Sequence, residues 1–414
     1  MTSPTSNTST GPGRIEFVLL ISAVMMIVAF AIDSMLPALP DIGRALHVAN
    51  ENDRPFVISA FLGGFSVTLL FVGVLSDRYG RRSLLLWFLI GFVLASLACT
   101  LAASFPMLLA ARFVQGIMAA GGQIIIRSVV RDRFEGRDMA QVMSLASMIF
   151  MAAPILAPTM GQIVLEFGPW RWVFAVLAII GLIVWTWVWL RMPETLAQDR
   201  RTTIDRASIM RSARAVLTDR MSLGYSLALA LISCALFGFL LSVQQIFETQ
   251  FRRADFLPTG FAIMSAGMAV ASLINASIVK RYGMRLIGHA ALIFFTISAA
   301  VHLAVALAGH ETLWTFIGLQ ALMMMGFSLT VGNFGAMAME NMGDFAGMAN
   351  SIQGTISNII GLTIGSLIGQ SFDGTTVPLY LGYFLCGVIA LAIVFVTEGG
   401  RFFVARHPSP LPAE

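Results

Sequence analysis

Long apolar runs separated by short polar gaps occupy almost the whole chain. They fall at roughly 15–38, 55–75, 83–104, 107–130, 139–165, 170–191, 221–247, 258–279, 286–308, 312–338, 345–370 and 377–397. Each approximates the ~20 residues that a helix needs to cross ~30 Å of hydrocarbon. The pattern predicts an all-α membrane protein with twelve transmembrane helices. The gap after the second run reads Gly73-Val74-Leu75-Ser76-Asp77-Arg78-Tyr79-Gly80-Arg81-Arg82. A worn copy follows the eighth run, where Arg281-Tyr282-Gly283 repeats Arg78-Tyr79-Gly80. A repeat displaced by half the chain predicts two homologous halves with a site between them, the usual construction of a transporter.

The organisation is then a polar tail at 1–13, a six-helix bundle at 14–191, a connector at 192–220, a second six-helix bundle at 221–398 and a tail at 399–414. The first tail, rich in Ser, Thr, Pro and Gly, reads as disordered. The connector holds Ile204, Ile209, Val216 and Leu217 among many Arg, which fits either an interfacial helix or a plain linker.

Composition agrees with lipid as the main solvent. Of 414 residues, 57% are hydrophobic and 12% charged, against about 25% charged in soluble domains. Mean hydropathy is +0.83. The isoelectric point near 9.3 raises the question of a nucleic-acid partner, but the placement of charge excludes it. Twenty of the 26 basic residues lie in gaps on the side of the N-terminus, whereas Arg44, Arg54, Arg171, Arg252 and Arg253 lie in the opposite gaps. Such a bias orients both termini to the cytoplasm.

Cys99, Cys234 and Cys386 sit within apolar runs without metal-ligand spacing, so they read as buried apolar side chains. His289 and His302 share a run but not a helical metal face. No catalytic constellation or phosphate loop is present. The sequence therefore predicts neither an enzyme nor a metal site.

Ionisable residues inside spans are functional candidates. Asp33 is the only carboxylate well inside a run, and Arg112 the only such guanidinium. Each lies one to two turns below the outer surface, so the two are expected to face one another across a cavity, with Asp33 carrying the proton. Gly361, Gly365 and Gly369 form a small-residue stripe in the eleventh run, for which the second run, with Ala60, Gly63, Gly64 and Ser66, is the expected partner. Pro154 and Pro158, followed by Gly161, predict a loosened fifth helix that can seal or open a cavity.

The gap at 73–82 resembles the signature loop of the major facilitator superfamily. Arg112-Phe113-Val114-Gln115-Gly116 with Gly121 resembles its second drug-antiporter motif. Asp33-Ser34-Met35-Leu36-Pro37-Ala38-Leu39-Pro40, and Pro154-Ile155-Leu156-Ala157-Pro158 with Gly161, are similar to the bicyclomycin/chloramphenicol-resistance (Bcr/CflA) branch of drug:proton antiporters. The resemblance implies two pseudo-symmetric six-helix bundles around a cavity lined by the first, fourth, seventh and tenth spans. It also implies proton carriage by Asp33, an influence of Arg112 on its release, and a cytoplasmic lock made by Asp77, Arg78 and Arg81 in the loop bounded by Gly73 and Gly80. Polar or aromatic residues on the lining spans become cavity candidates: Phe30, Gln115, Phe237, Gln244, Met323, Phe327 and Asn333. Met35 stands where relatives usually have Tyr, Ala157 and Gln162 where Gly is common, and Lys280 opposite Asp77, which leaves the gating role to the first-half loop.

The reading is a monomeric, multi-pass protein of the bacterial inner membrane. It exports small amphiphilic compounds by alternating access, driven by the proton gradient without a cofactor. A proton-coupled transporter dedicated to one metabolite, such as an amino acid or sugar, is the alternative. A non-transporting sensor would need an output domain, for which neither the tail nor the connector is large enough.

Overall fold

A computed structural model describes residues 12–150, 152–196, 206–343 and 346–403. Most of both tails, and Ile204 in the connector, lie outside the described residues. The first half comprises α1 (Arg14–Asp33), α2 (Leu39–Ala45), α3 (Phe56–Thr68), α4 (Val72–Tyr79), α5 (Arg81–Thr100), α6 (Phe105–Arg133), α7 (Gly136–Phe150), α8 (Ala153–Phe167) and α9 (Arg171–Arg191). After α10 (Arg206–Thr218), the second comprises α11 (Arg220–Gln245), α12 (Leu257–Tyr282), α13 (Met284–Leu307), α14 (Leu313–Ala338), α15 (Ala346–Gln370) and α16 (Val377–Thr397). Among the described residues, 11 helical segments are long and apolar enough to cross a membrane.

The second apolar run is the exception, because it is split into α3 and α4 by a turn at Leu69–Phe71. The Ser66 and Thr68 hydroxyls donate to the Leu62 and Gly64 carbonyls, at 2.7 and 2.9 Å. Such back-bonding competes with the helical ladder and bends it. The fifth run is also divided, into α7 and α8. Pro154 stands in the first turn of α8 and Pro158 inside it, where the missing N–H breaks a ladder bond.

Helices pack mainly within their own half, notably α3 and α5 on α6, and α15 and α16 on α11. Gly64 and Gly116 set the α3–α6 crossing: a Cβ on either would overlap the carbonyl oxygen of Phe113 or Phe61 on the facing helix. Gly361, Gly365 and Gly369 do the same for α15, but against Ala230, Ser233, Phe237 and Leu241 of α11. The expected pairing of that stripe with the second run is therefore incorrect. Residues four apart share a face, and Ser366, about 100° around the helix from Gly365, meets α3, with its hydroxyl 3.2 Å from that of Ser59.

The internal repeat survives in the backbone. Gly80 has φ 92° and ψ 151°, and Gly283 has φ 78° and ψ 155°, a left-handed region that favours glycine. A buried arginine follows each turn. Arg81 binds Asp77 at 2.6 Å and Asp132 at 2.9 Å, while Glu194 accepts from its backbone N–H at 2.9 Å. Arg285 binds Glu340 at 2.6 Å and Glu398 at 2.9 Å. Burial raises the Glu398 carboxyl, but hydrogen bonds from Tyr225 and Arg285 outweigh it and hold the group below its ordinary value.

The halves meet differently at the two ends. Far from the Gly80 and Gly283 turns they are clasped. The Asn52 amide donates to the Gln370 and Phe372 carbonyls at 3.0 and 2.9 Å, its oxygen accepts from Gln245 at 3.0 Å, and its carbonyl accepts from Gln370 at 2.9 Å. At the arginine-rich end, a crevice of about 530 Å³ opens between α3, α4 and α6 on one side and α15 on the other. There α10 docks through Val216 onto Met342, Ala349 and Ile352, whereas Leu217 is exposed. The connector's helix is thus held by α15 along part of its apolar face.

Two outcomes follow from this packing. Gly64→Ala and Gly116→Ala should each lower stability by about 1–3 kcal/mol, read as a fall in the thermal midpoint. Gly63→Ala should be neutral or mildly stabilising, since a Cβ there would sit 3.7 Å from the Phe113 ring. At the clasp, a Ser59→Cys/Ser366→Cys pair should oxidise readily to a disulfide. Adding Asn52→Ala removes bonds worth about 1 kcal/mol each, and should reduce the cross-linking yield severalfold in a timed oxidation.

Candidate functional site

Asp33 ends α1, because Pro37 and Pro40 cannot continue the helix. Its side chain is buried, with 6% residue exposure. Glu398, another buried acid, is paired with Arg285. Asp33 has no hydrogen bond or ion pair among the described residues. The helix beside it is α8, where a Cβ on Gly161 would overlap the Ser34 carbonyl oxygen and press on Pro37. Gly161 thus brings the proline-interrupted α8 against the segment that carries the acid. The same α8 packs on α12 of the other half.

Arg112 does not face Asp33. It is wholly buried inside the first half. Its Nε donates to the Val57 carbonyl at 2.9 Å and its Nη1 to Gln115 Oε1 at 2.6 Å. The guanidinium lies over the Phe61 and Phe174 rings, 4.6 and 5.8 Å from their centroids. The expected Asp33–Arg112 pair is therefore absent from this conformation. The azimuth of α6 turns Arg112 towards Val57 and Phe61 of α3 and Phe174 of α9.

The cavity candidates scatter in the same way. Gln115 is bound to Arg112 and to Ser96 at 2.7 Å. Phe237 packs into the α11–α15 crossing. Gln244 donates to Glu248 at 2.5 Å near the clasp. Asn333 reaches Asn275 on α12 at 2.9 Å. Met323 and Phe327 are buried in the core of the second half, and Phe30 is half-buried one turn before Asp33. None of the seven lines the crevice.

Of the loop residues, Gly73 and Asp77 line the crevice. Arg78 lies over the Tyr79 ring at 5.3 Å. Arg81 is buried against Ser76, Asp77 and Asp132. These contacts stay within the first half, so among the described residues the loop makes no ion pair with α15 while the crevice is open. Sequence reasoning missed the clasp, whose partners lie 193 to 320 residues apart. It also counted Arg127 and Arg131 only as orientation charges, whereas both line the crevice.

The whole-chain comparisons agree with this architecture. A sequence profile of the Major Facilitator Superfamily matches residues 21–366. The chain is 29% identical to the MFS-type transporter YdgK of Bacillus subtilis, over 93% of this chain and 96% of that protein. It is 27% identical to a bicyclomycin resistance protein homolog of Haemophilus influenzae, over 92% and 96%. It is 26% identical to the multidrug resistance protein MdtL of Salmonella typhi, over 95% and 97%. Among solved structures, the human organic anion transporter MFSD10 superposes with a TM-score of 0.63 at 17% identity, covering 92% of this chain and 100% of that one. With its helical halves, repeated turns and profile match, the chain belongs to the major facilitator superfamily and is a multi-pass membrane transporter, not an enzyme.

Proposed function

We propose that this transporter exports small amphiphilic compounds from the cytoplasm in exchange for protons, with Asp33 as the proton carrier. The observation that carries the reading is the solitary burial of Asp33. A carboxylate is costly in an apolar interior unless it is paired. Asp33 has no fixed partner among the described residues, so its charge must be answered by a proton or by whatever enters beside it. Its position against α8 supplies a mechanical link, since α8 touches both the Asp33 segment and α12 of the other half. A change in the charge of Asp33 would alter that packing and bias the halves between two arrangements.

The relatives named for bicyclomycin and multidrug resistance favour export of such compounds. The bias of basic residues favours both termini in the cytoplasm of a bacterial inner membrane. On that orientation the crevice faces the cytoplasm and the clasp closes the periplasmic side, so this conformation is the one that loads substrate. A monomer suffices, because both halves of the pathway belong to one chain.

Proton release from purified protein, measured with a panel of amphiphilic drugs, tests the reading. Wild type should release protons on drug addition, and Asp33→Asn should release none while keeping its thermal midpoint. Release that persists in Asp33→Asn would place the proton site elsewhere. No release from wild type with any drug would defeat proton exchange itself.

A further inference from the structure

The open mouth carries a charge pattern that transport through the centre does not require. Arg127 and Arg131 lie one turn apart on α6, so they share a face, and both line the crevice. Neither has a hydrogen bond or ion pair among the described residues. Three acids around the Gly80 turn are already engaged. Asp77, the only acid lining the crevice among the described residues, and Asp132 are held by Arg81 at 2.6 and 2.9 Å. The Glu194 carboxylate caps the backbone N–H groups of Arg81 and Arg82, with its nearest contact at 2.9 Å. The third arginine of that turn, Arg133, differs from these two: it donates to the Pro12 carbonyl at 2.9 Å and lies over the Phe17 ring.

We infer that this crevice binds the anionic head of an amphiphilic substrate, with Arg127 and Arg131 as its ligands. The inference rests on the reading that the substrate is an amphiphile. The remaining walls fit both parts of such a molecule. Phe65, Leu69 and Ile124 offer an apolar surface to a tail, while Asn350 and Ser351 of α15 add polar groups from the other half. At about 530 Å³ the space suits a drug-sized ligand. Two forked guanidinium groups match a carboxylate, sulfonate or phosphate head. Arg127 lies 15 residues beyond Arg112 on α6, roughly 22 Å at 1.5 Å per residue. The head therefore binds about four turns along α6 from Arg112, towards the arginine-rich end.

The test is equilibrium binding to the full chain in nanodiscs of phosphatidylcholine, with 11-(dansylamino)undecanoic acid and its methyl ester as fluorescent probes. Wild type should bind the acid at least tenfold more tightly than the ester. Arg127→Gln/Arg131→Gln should lose about tenfold or more in affinity for the acid and leave the ester unchanged. Arg127→Lys/Arg131→Lys, which keeps the charge, should recover most of that loss and so separates charge from folding. Equal binding of acid and ester by wild type, or undiminished binding of the acid by the double Gln variant, overturns the inference.

Phosphatidylglycerol added to the discs identifies the source of the head. If it displaces the acid from wild type, the site stands and accepts a lipid head; if it does not, the site stands and selects a free amphiphile. The binding assay is independent of proton exchange. Lost preference for the acid with Asp33-dependent proton release intact removes the anion site alone. Intact preference without proton release from wild type removes the exchange reading alone.

Discussion

Inside hydrocarbon a polar group has no water to turn to, and this structure is organised by that constraint. Each half answers its own buried charges. Arg112 is met by a carbonyl, an amide and two aromatic faces. Arg81 is met by two Asp, and Arg285 by two Glu. His302 binds Glu311 at 2.7 Å and stacks on Tyr380, and His289 binds Tyr225 at 2.9 Å. Because these contacts are internal to a half, the halves can move past one another without breaking them. Asp33 and the pair Arg127–Arg131, which have no hydrogen bond or ion pair among the described residues, are therefore informative.

The interface between the halves is made of weaker and more reversible contacts. Around Asn52 it is a set of neutral hydrogen bonds, each worth about 1 kcal/mol net, beside one long ion pair between Arg54 and Glu248 at 3.9 Å. A clasp of that strength holds one arrangement without making the other inaccessible. The pseudo-symmetric arginine clusters after Gly80 and Gly283 have the opposite character, being multidentate, charge-assisted and largely buried. They brace the ends of three helices in each half, so movement is directed to the interface.

Much of this was legible in the chain. The twelve apolar runs, the repeated Arg-Tyr-Gly turn and the loosening of the fifth helix by proline are local properties. They depend on spacing along one segment, which the sequence displays directly. The split between α3 and α4 was less visible, because Ser66 and Thr68 are ordinary helix residues until their hydroxyls turn back onto the ladder. The second-half arginine cluster was also hidden. Lys280 opposite Asp77 suggested a lost motif, yet Arg285 recovers the arrangement with Glu340 and Glu398, residues that no local pattern connects to it.

The azimuth of each helix accounts for the remaining differences. Composition and period placed Asp33 and Arg112 in spans, and counting turns led to the expectation of similar depths. Whether they face each other depends on rotations of helices whose apolar surfaces run all the way round. In lipid, tails are as acceptable as neighbouring side chains, so an apolar stripe does not mark an inner face. The sequence by itself determined the fold class, the repeat and the residues too polar for lipid. Only the tertiary structure decided which of those residues are paired, because pairing depends on close approaches such as Gly64 on Phe113 and Gly161 on Ser34, and those set the rotation of every helix they touch.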